Sequence, residues 1–247
     1  MHFQSIFVTG TDTGVGKTTV SCGIAAALRG RGYRVGVCKP AETGCAADHE
    51  GRLQPYDALQ LRFFSDCRAT LDTICPYALE APLAPAVAAG LAGVPIDVTR
   101  MLRSHQAVAE SHDVTLVEGA GGLMVPVTNT DTNATLALRL QTPLLVVVGS
   151  RLGAINHALL TVRYARAVGL RVLGYVVNFL DPEPDQAAKS NGAVLDAWLG
   201  PPLGWCRTSA TSTRARRSAT GSRPSSRGTS TSTAYWWRAD RAAASAA

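Results

Sequence analysis

Five short apolar runs punctuate the chain: Ile6-Phe7-Val8, Tyr33 to Cys38, Val114-Thr115-Leu116-Val117, Leu144 to Val148 and Val172 to Val177. Their length and β-branched content predict strands, and the unbroken run 144–148 predicts a strand buried on both faces, as in a parallel sheet. Between them the spacing changes to that of a helix. Val20, Ile24, Ala27 and Leu28 follow the first strand. Asp57 opens a second pattern through Leu59, Leu61 and Phe63, and residues 97–110 form a third. A fourth begins near Asn156, with Leu160, Tyr164, Ala167 and Val168 on one face, and a fifth covers 185–198. Strands alternating with helices predict an α/β fold of three layers around a mostly parallel central sheet. Residues 41–56 are polar and glycine-containing, which predicts a loop over the sheet edge. Prolines 76, 82, 85 and 95 break residues 75–96 into a loop and a short helix covering a site.

Length and charge sharpen this picture. A chain of 247 residues makes one α/β domain with a substantial core. The net charge of +6 is unevenly spread: residues 1–205 carry 16 Lys+Arg against 17 Asp+Glu, whereas 206–247 carry 8 Arg against Asp240 alone. A near-neutral body gives nucleic-acid binding little support. Ser, Thr, Arg and Ala make up 34 of the last 42 residues, and Leu, Ile, Val, Met and Phe are absent there. Such a segment buries too little apolar surface to offset its ordering entropy, so residues 1–205 form the domain and 206–247 a tail expected to be disordered. The six cysteines show no Cys-x-x-Cys and no metal-ligand spacing, and read as reduced thiols. No signal-peptide pattern and no run of about 18 apolar residues occurs. The expectation is a cytoplasmic protein that neither binds nor spans a membrane.

The candidate chemistry begins at residues 10–19, Gly-Thr-Asp-Thr-Gly-Val-Gly-Lys-Thr-Thr, between a strand and a helix. That is the setting of a phosphate-binding loop, in which backbone N–H groups and a helix N-terminus face phosphate oxygens. Lys17 would reach the β- and γ-phosphates and the Thr18 hydroxyl would face Mg²⁺. Five residues separate Gly10 from Gly16 where the usual pattern has four, so Thr11 stands at the strict first-glycine position. Lys39, at a strand end where open α/β sheets bind ligands, is one of only three lysines before residue 206. It reads as a ligand contact or a surface residue. Asp57 reads as a helix N-cap or a metal ligand. Glu118 ends an apolar strand before Gly119-Ala120-Gly121-Gly122, where an unpaired buried charge is costly and a Mg²⁺-linked acid is expected. The helix start near Gly153–Asn156 is a second anion site. His157 beside it reads as structural sooner than catalytic. Asn178 suits an adenine edge or a turn.

Taken together, these segments resemble the dethiobiotin synthetase family. The matches are residues 8–18, Lys39-Pro40 with Thr43-Gly44, Asp57-Ala58-Leu59, Val117 to Gly122, Leu152 to Thr161, and Asn178. Leu-Gly-x-Ile-Asn-His is the most specific, and the five-residue loop gap is the spacing this family uses. The resemblance implies a P-loop NTPase-type fold and an ATP- and Mg²⁺-dependent closure of a ureido ring, in which 7,8-diaminononanoate takes up CO₂ as a carbamate. ATP then phosphorylates the carbamate before the second amine attacks. It implies catalytic roles for Thr13, Lys17 and Lys39, and nucleotide contacts from Thr13, Gly14, Val15, Gly16, Lys17, Thr18, Thr19, Glu118, Gly121 and Asn178. Mg²⁺ would be held by Thr18, Asp57 and Glu118. Thr43, Gly153, Ala154, Ile155 and Asn156 would hold substrate, the last four at a homodimer interface. The chain departs from the family at Gly14, at Ala84-Pro85-Ala86, and throughout from about Trp205, where the compositional break suggests an out-of-frame reading of a GC-rich coding sequence. Two rivals are a cobyrinic acid amidoligase, whose glutaminase domain has no room here, and a partitioning or septum-placement ATPase. Asp12 stands where the latter carries its signature lysine.

Overall fold

The computed structural model describes residues 4–207. The chain opens with β1 (Gln4–Gly10), α1 (Lys17–Arg29) and β2 (Val35–Cys38), followed by the two-residue strands β3 (Glu42–Thr43), β4 (Ala46–Ala47) and β5 (Leu53–Gln54). Next come α2 (Tyr56–Ser65), α3 (Leu71–Ile74), β6 (Ala78–Leu79), α4 (Pro85–Ala92) and α5 (Val98–Ala109). The rest alternates: β7 (Val114–Gly122), α6 (Asn133–Arg139), β8 (Leu144–Ser150), α7 (Ala154–Ala167), β9 (Val172–Phe179), α8 (Gln186–Leu199) and β10 (Gly204–Arg207).

Six strands form one parallel sheet in the order β10-β9-β8-β1-β7-β2. All seven residues of β8 are buried, as its continuous apolar run requires. Alternate side chains serve opposite faces. Leu145 and Val147 meet Val20 of α1, while Val146 and Val148 meet Ala158 and Val162 of α7 and Leu195 of α8. Each such buried aliphatic side chain contributes about 1.5–3 kcal/mol, which makes this two-sided core the main reason the layers hold. Register pairs Val8 with Glu118, Cys38 with Val117, and Gly149 with Asn178. The carboxyl ends of β1, β2, β7, β8 and β9 therefore share one edge. The strand order reverses at β1, and ligands bind at such a crevice.

Several elements differ from expectation. The 41–56 loop carries β3, β4 and β5. β7 continues four residues past Glu118, so this carboxylate sits inside a strand rather than at its tip. α3 and α6 are too short for periodicity to reveal; Thr70 caps the first, and a Thr132–Thr135 capping box starts the second. β10 pairs Trp205, Cys206 and Arg207 with Val177, Asn178 and Phe179. The boundary drawn at residue 205 falls within this strand. The disorder expected of the tail concerns residues 208–247, which lie outside the described residues. Trp205 stacks on Phe179, with ring centroids 5.7 Å apart and planes 13° from parallel. It also lies directly over Gly192 of α8, where any Cβ would overlap the indole. Gly192→Ala is thus expected to destabilise the fold by about 1–3 kcal/mol through overpacking. That outweighs the gain of about 1 kcal/mol that alanine brings in an open helix. Thermal denaturation measures this, and Trp205→Ala in the same chain should remove the penalty. An unchanged melting temperature in the single variant would unseat Trp205 from α8.

Candidate functional site

The loop between β1 and α1 is shaped by close packing. A Cβ at Gly10 would stand 2.7 Å from Val15 Cγ2 and 3.3 Å from Lys17 Cγ, so Gly10 makes the close approach. Thr11 anchors the loop instead, donating its N–H to Val147 O at 3.0 Å. Gly14 and Gly16 have φ of 74° and 85°. α1 starts without any side-chain cap, leaving first-turn N–H groups for an anion. Thr13 N donates to Asp12 Oδ1 at 2.7 Å, and Arg151 pairs with the other oxygen of Asp12.

Lys17 is buried, and burial, reinforced by the nearby Lys39 charge, lowers its pKa to about 8 against the pull of Glu118, Asp57 and Asp12. Phosphates beside it would favour the protonated form. Nucleotide binding should therefore take up a proton above about pH 8, with affinity level below that and falling up to about tenfold per unit above it. Calorimetry in buffers of different ionisation enthalpy measures the uptake. An affinity flat from about pH 7 to 10 would remove Lys17 from the phosphates.

Next to this loop lies a buried charge cluster. Lys39 Nζ donates to Asp57 Oδ2 at 2.8 Å and to Glu118 Oε1 at 2.7 Å. The Thr18 hydroxyl donates to the same Glu118 oxygen at 2.8 Å. Lys39 is 3% exposed and Glu118 fully buried. Burial would lower the Lys39 pKa, but Glu118 and Asp57 overcome it and hold the ammonium charged, above its usual range. Burial likewise opposes ionisation of Asp57, and Lys39, with Thr18, outweighs it and lowers that pKa. Glu118 Oε2 is buried without a hydrogen-bond partner. An orphaned carboxylate oxygen beside Asp57 and a hydroxyl is a hard-oxygen set that fits Mg²⁺. Among the described residues no three His, Cys, Asp or Glu gather as a cage.

The sequence reading missed Glu42. α2 has Pro55 at its N-cap and no side-chain cap from its own segment. Instead Glu42 Oε1 accepts from Asp57 N at 2.8 Å and Oε2 from Ala58 N at 3.0 Å. Asp57 is thereby not a cap; its side chain is on Lys39. Burial, with the Asp57 charge, pushes the Glu42 carboxyl up to about 7. Asn133 was missed too. Its Nδ2 donates to Ala120 O at 2.7 Å and Gly122 O at 2.8 Å, satisfying the glycine-rich end of β7. There Gly121 comes so close to the loop that a Cβ would stand 3.3 Å from Thr13 Oγ1.

From the other side, Asn178 Nδ2 donates to Val15 O at 2.9 Å, and its Oδ1 is buried without a partner. α7 begins at Ala154, two residues before the expected start, because Gly153 turns the chain with φ 89°. Asn191 Nδ2 holds this turn through Arg151 O at 2.8 Å. Lys17, Thr18, Lys39, Asp57 and Glu118 thus converge, with Thr13, Gly121 and Asn178 against the loop. Thr43 on β3 and the Gly153–Asn156 turn give no hydrogen bond or ion pair to the charged cluster among the described residues.

A family model described as an AAA domain matches residues 4–199. The ATP-dependent dethiobiotin synthetase BioD of Anaeromyxobacter sp. (strain K) is 45% identical over 192 residues, covering 78% of this chain and 84% of that protein. Its namesake from Bacillus subtilis (strain 168) is 37% identical over 200 residues, 81% of this chain and 85% of that one. Among solved structures, the signal recognition particle receptor FtsY from Elizabethkingia anophelis in complex with GDP superposes with a TM-score of 0.50 at 19% identity. That match covers 83% of this chain and 57% of the receptor, so the chain spans just over half the receptor's length and shares its fold alone.

Proposed function

This chain belongs to the ATP-dependent dethiobiotin synthetases, and we propose that the lysine–carboxylate cluster beside its phosphate loop carries their ring closure. The protein is a ligase of biotin biosynthesis that closes a ureido ring with ATP. The observation that carries the residue assignment is Lys39, buried between Asp57 and Glu118 and held charged next to Lys17.

The substrates are 7,8-diaminononanoate, CO₂ or bicarbonate, and ATP. One amine of the diamine takes up CO₂ as a carbamate. A carbamate oxygen then attacks the γ-phosphorus and ADP leaves. The second amine attacks the carbonyl carbon of the mixed anhydride, phosphate leaves, and the ring is closed. Carbamate and triphosphate are both anions, so the site must hold them in line and offset their charge. Lys17, Lys39, the α1 N–H groups and the Thr13 hydroxyl do this. Thr18, Asp57 and Glu118 would hold Mg²⁺, which neutralises phosphate charge when bound. Gly14 to Thr19, Glu118 and Gly121 line the phosphates, and the free Oδ1 of Asn178 accepts from the adenine amine. Thr43 meets the carbamate end, and the turn Gly153, Ala154, Ile155, Asn156 meets the carboxylate.

Leu152, 85% exposed, precedes that turn, and Leu160, 61% exposed, shares a helical stripe with Tyr164 on α7. An uncovered apolar stripe supports a homodimer in which a second copy closes the carboxylate pocket. Five of the six free cysteines are buried, which supports a cytoplasmic home. Among the described residues no helix is long and apolar enough to cross a membrane. Asp12, engaged by Thr13 N and Arg151, offers nothing of the signature lysine of a partitioning ATPase. The test is turnover of the full chain with diaminononanoate, bicarbonate and Mg-ATP. Dethiobiotin should appear in step with ADP and phosphate. Diamine-independent hydrolysis with no cyclic product would overturn the reading.

A further inference from the structure

We propose that Glu42 is a positioning residue for the reaction: by capping α2 from outside, it releases the Asp57 carboxylate to face Lys39 and the phosphates. The inference rests on the function proposed above. The first N–H groups of any helix lack intrahelical partners, and a carboxylate in the first turn is drawn to them. Asp57 is that carboxylate in α2, and Pro55 at the N-cap has no side-chain acceptor. Left alone, Asp57 would turn inward to its own helix. Glu42, fifteen residues earlier in the chain, takes both N–H groups, of Asp57 and Ala58.

A cap alone does not call for this arrangement. Ser, Thr or Asn at position 55 would serve, without burying a carboxylate that is 6% exposed. The backbone makes the link tighter. Residues 39–42 leave the end of β2, and Glu42 N donates to Tyr77 O at 2.8 Å. This short segment therefore grips Asp57 twice: Lys39 holds its side chain and Glu42 its backbone.

The experiment compares Glu42→Ala and Glu42→Gln in the full chain, alone and with Asp57→Asn. Four quantities are read: kcat, half-saturating Mg²⁺, Mg²⁺-free ADP affinity and melting temperature. Removing a partner that orients a metal ligand typically costs about 10–100-fold. Glu42→Ala should raise half-saturating Mg²⁺ and lower kcat within that range while metal-free ADP affinity stays put. Glu42→Gln keeps one acceptor oxygen and should recover part of the loss; it also decides the matter if the alanine variant does not fold. In the Asp57→Asn background neither change at 42 should shift the Mg²⁺ response further. Lower melting temperatures with kcat and Mg²⁺ response unchanged would overturn the proposal, as would losses additive with Asp57→Asn. Failure of the parent chain to make dethiobiotin would instead count against the ring-closing reading, because Mg²⁺-dependent nucleotide binding still reports on Glu42.

Discussion

Lys39→Met is expected to cut dethiobiotin formation by about a thousandfold and to lower the melting temperature in the same step. Loss of one preorganised charge at the reacting oxygens costs about 10²–10³ in rate. The structural penalty arises because Asp57 and Glu118 lose the cation between them, and stranding a buried charge costs about 3–5 kcal/mol. The pH response should gain a second branch. In the parent, the Asp57 pKa is lowered, so its contribution is present above the unfolded carboxylate value and lost as pH falls. In the variant two like charges share a pocket, so one carboxyl takes up a proton more readily. Its folded-state pKa then lies above the unfolded value, and stability is lost as pH rises through it. In urea titrations the Asp57 branch therefore lies below about pH 4. Between about pH 4 and 7 the raised Glu42 carboxyl already makes stability fall with pH in both proteins, and the variant should fall more steeply than the parent. Parallel slopes would mean that Lys39 is not the counter-charge of this pair. Mg²⁺ should stabilise the variant more than the parent, since it can take the place of the missing cation.

The second large effect is expected at Gly16. With φ at 85° its backbone is left-handed, which costs about 1–2 kcal/mol for a residue bearing a Cβ. A Cβ there would also overlap the Asn178 amide, adding about 1–3 kcal/mol of overpacking. Gly16→Ala should thus reduce nucleotide affinity by at least a hundredfold, about 2.7 kcal/mol, because the loop can relieve the strain only by moving its N–H groups off the phosphates. Asn178→Ala in the same chain separates the two causes. It should return the part of the melting temperature lost to overlap and leave the backbone part. Parent-like ADP affinity in Gly16→Ala would show that the loop tolerates a different path.

How much of the fold and site was legible in the sequence depends on how local each signal is. The phosphate loop, Lys39, Asp57 and Glu118 stand at ends of, or within, elements whose apolar patterns are self-evident, so their convergence on one edge is a consequence of a parallel sheet. Glu42 has no such signature. Its role exists only through a contact fifteen residues away with a helix that lacks its own cap. β7 reads as ending at Glu118 because glycines ordinarily weaken strands. Here Asn133 satisfies two of the carbonyls beyond it, and the strand runs on. α7 starts early because Gly153 opens it without a capping side chain. Trp205 was hidden by the polar composition of the adjoining tail, since one aromatic among polar residues gives no period. Only its seat over Gly192 and Phe179 reveals that it belongs to the sheet.

The amide of Asn178 has one further consequence. Its nitrogen fastens the loop between β1 and α1 through Val15 O, and its oxygen, buried and unpaired, is free for the base under the assignment proposed above. Under that assignment one side chain would serve as a spacer of fixed length between the two ends of a nucleotide. Selection for a new base at position 178 would also reset the grip on the triphosphate, and the two traits would evolve as one. Libraries aimed at altered nucleotide choice should therefore vary positions 16 and 178 together.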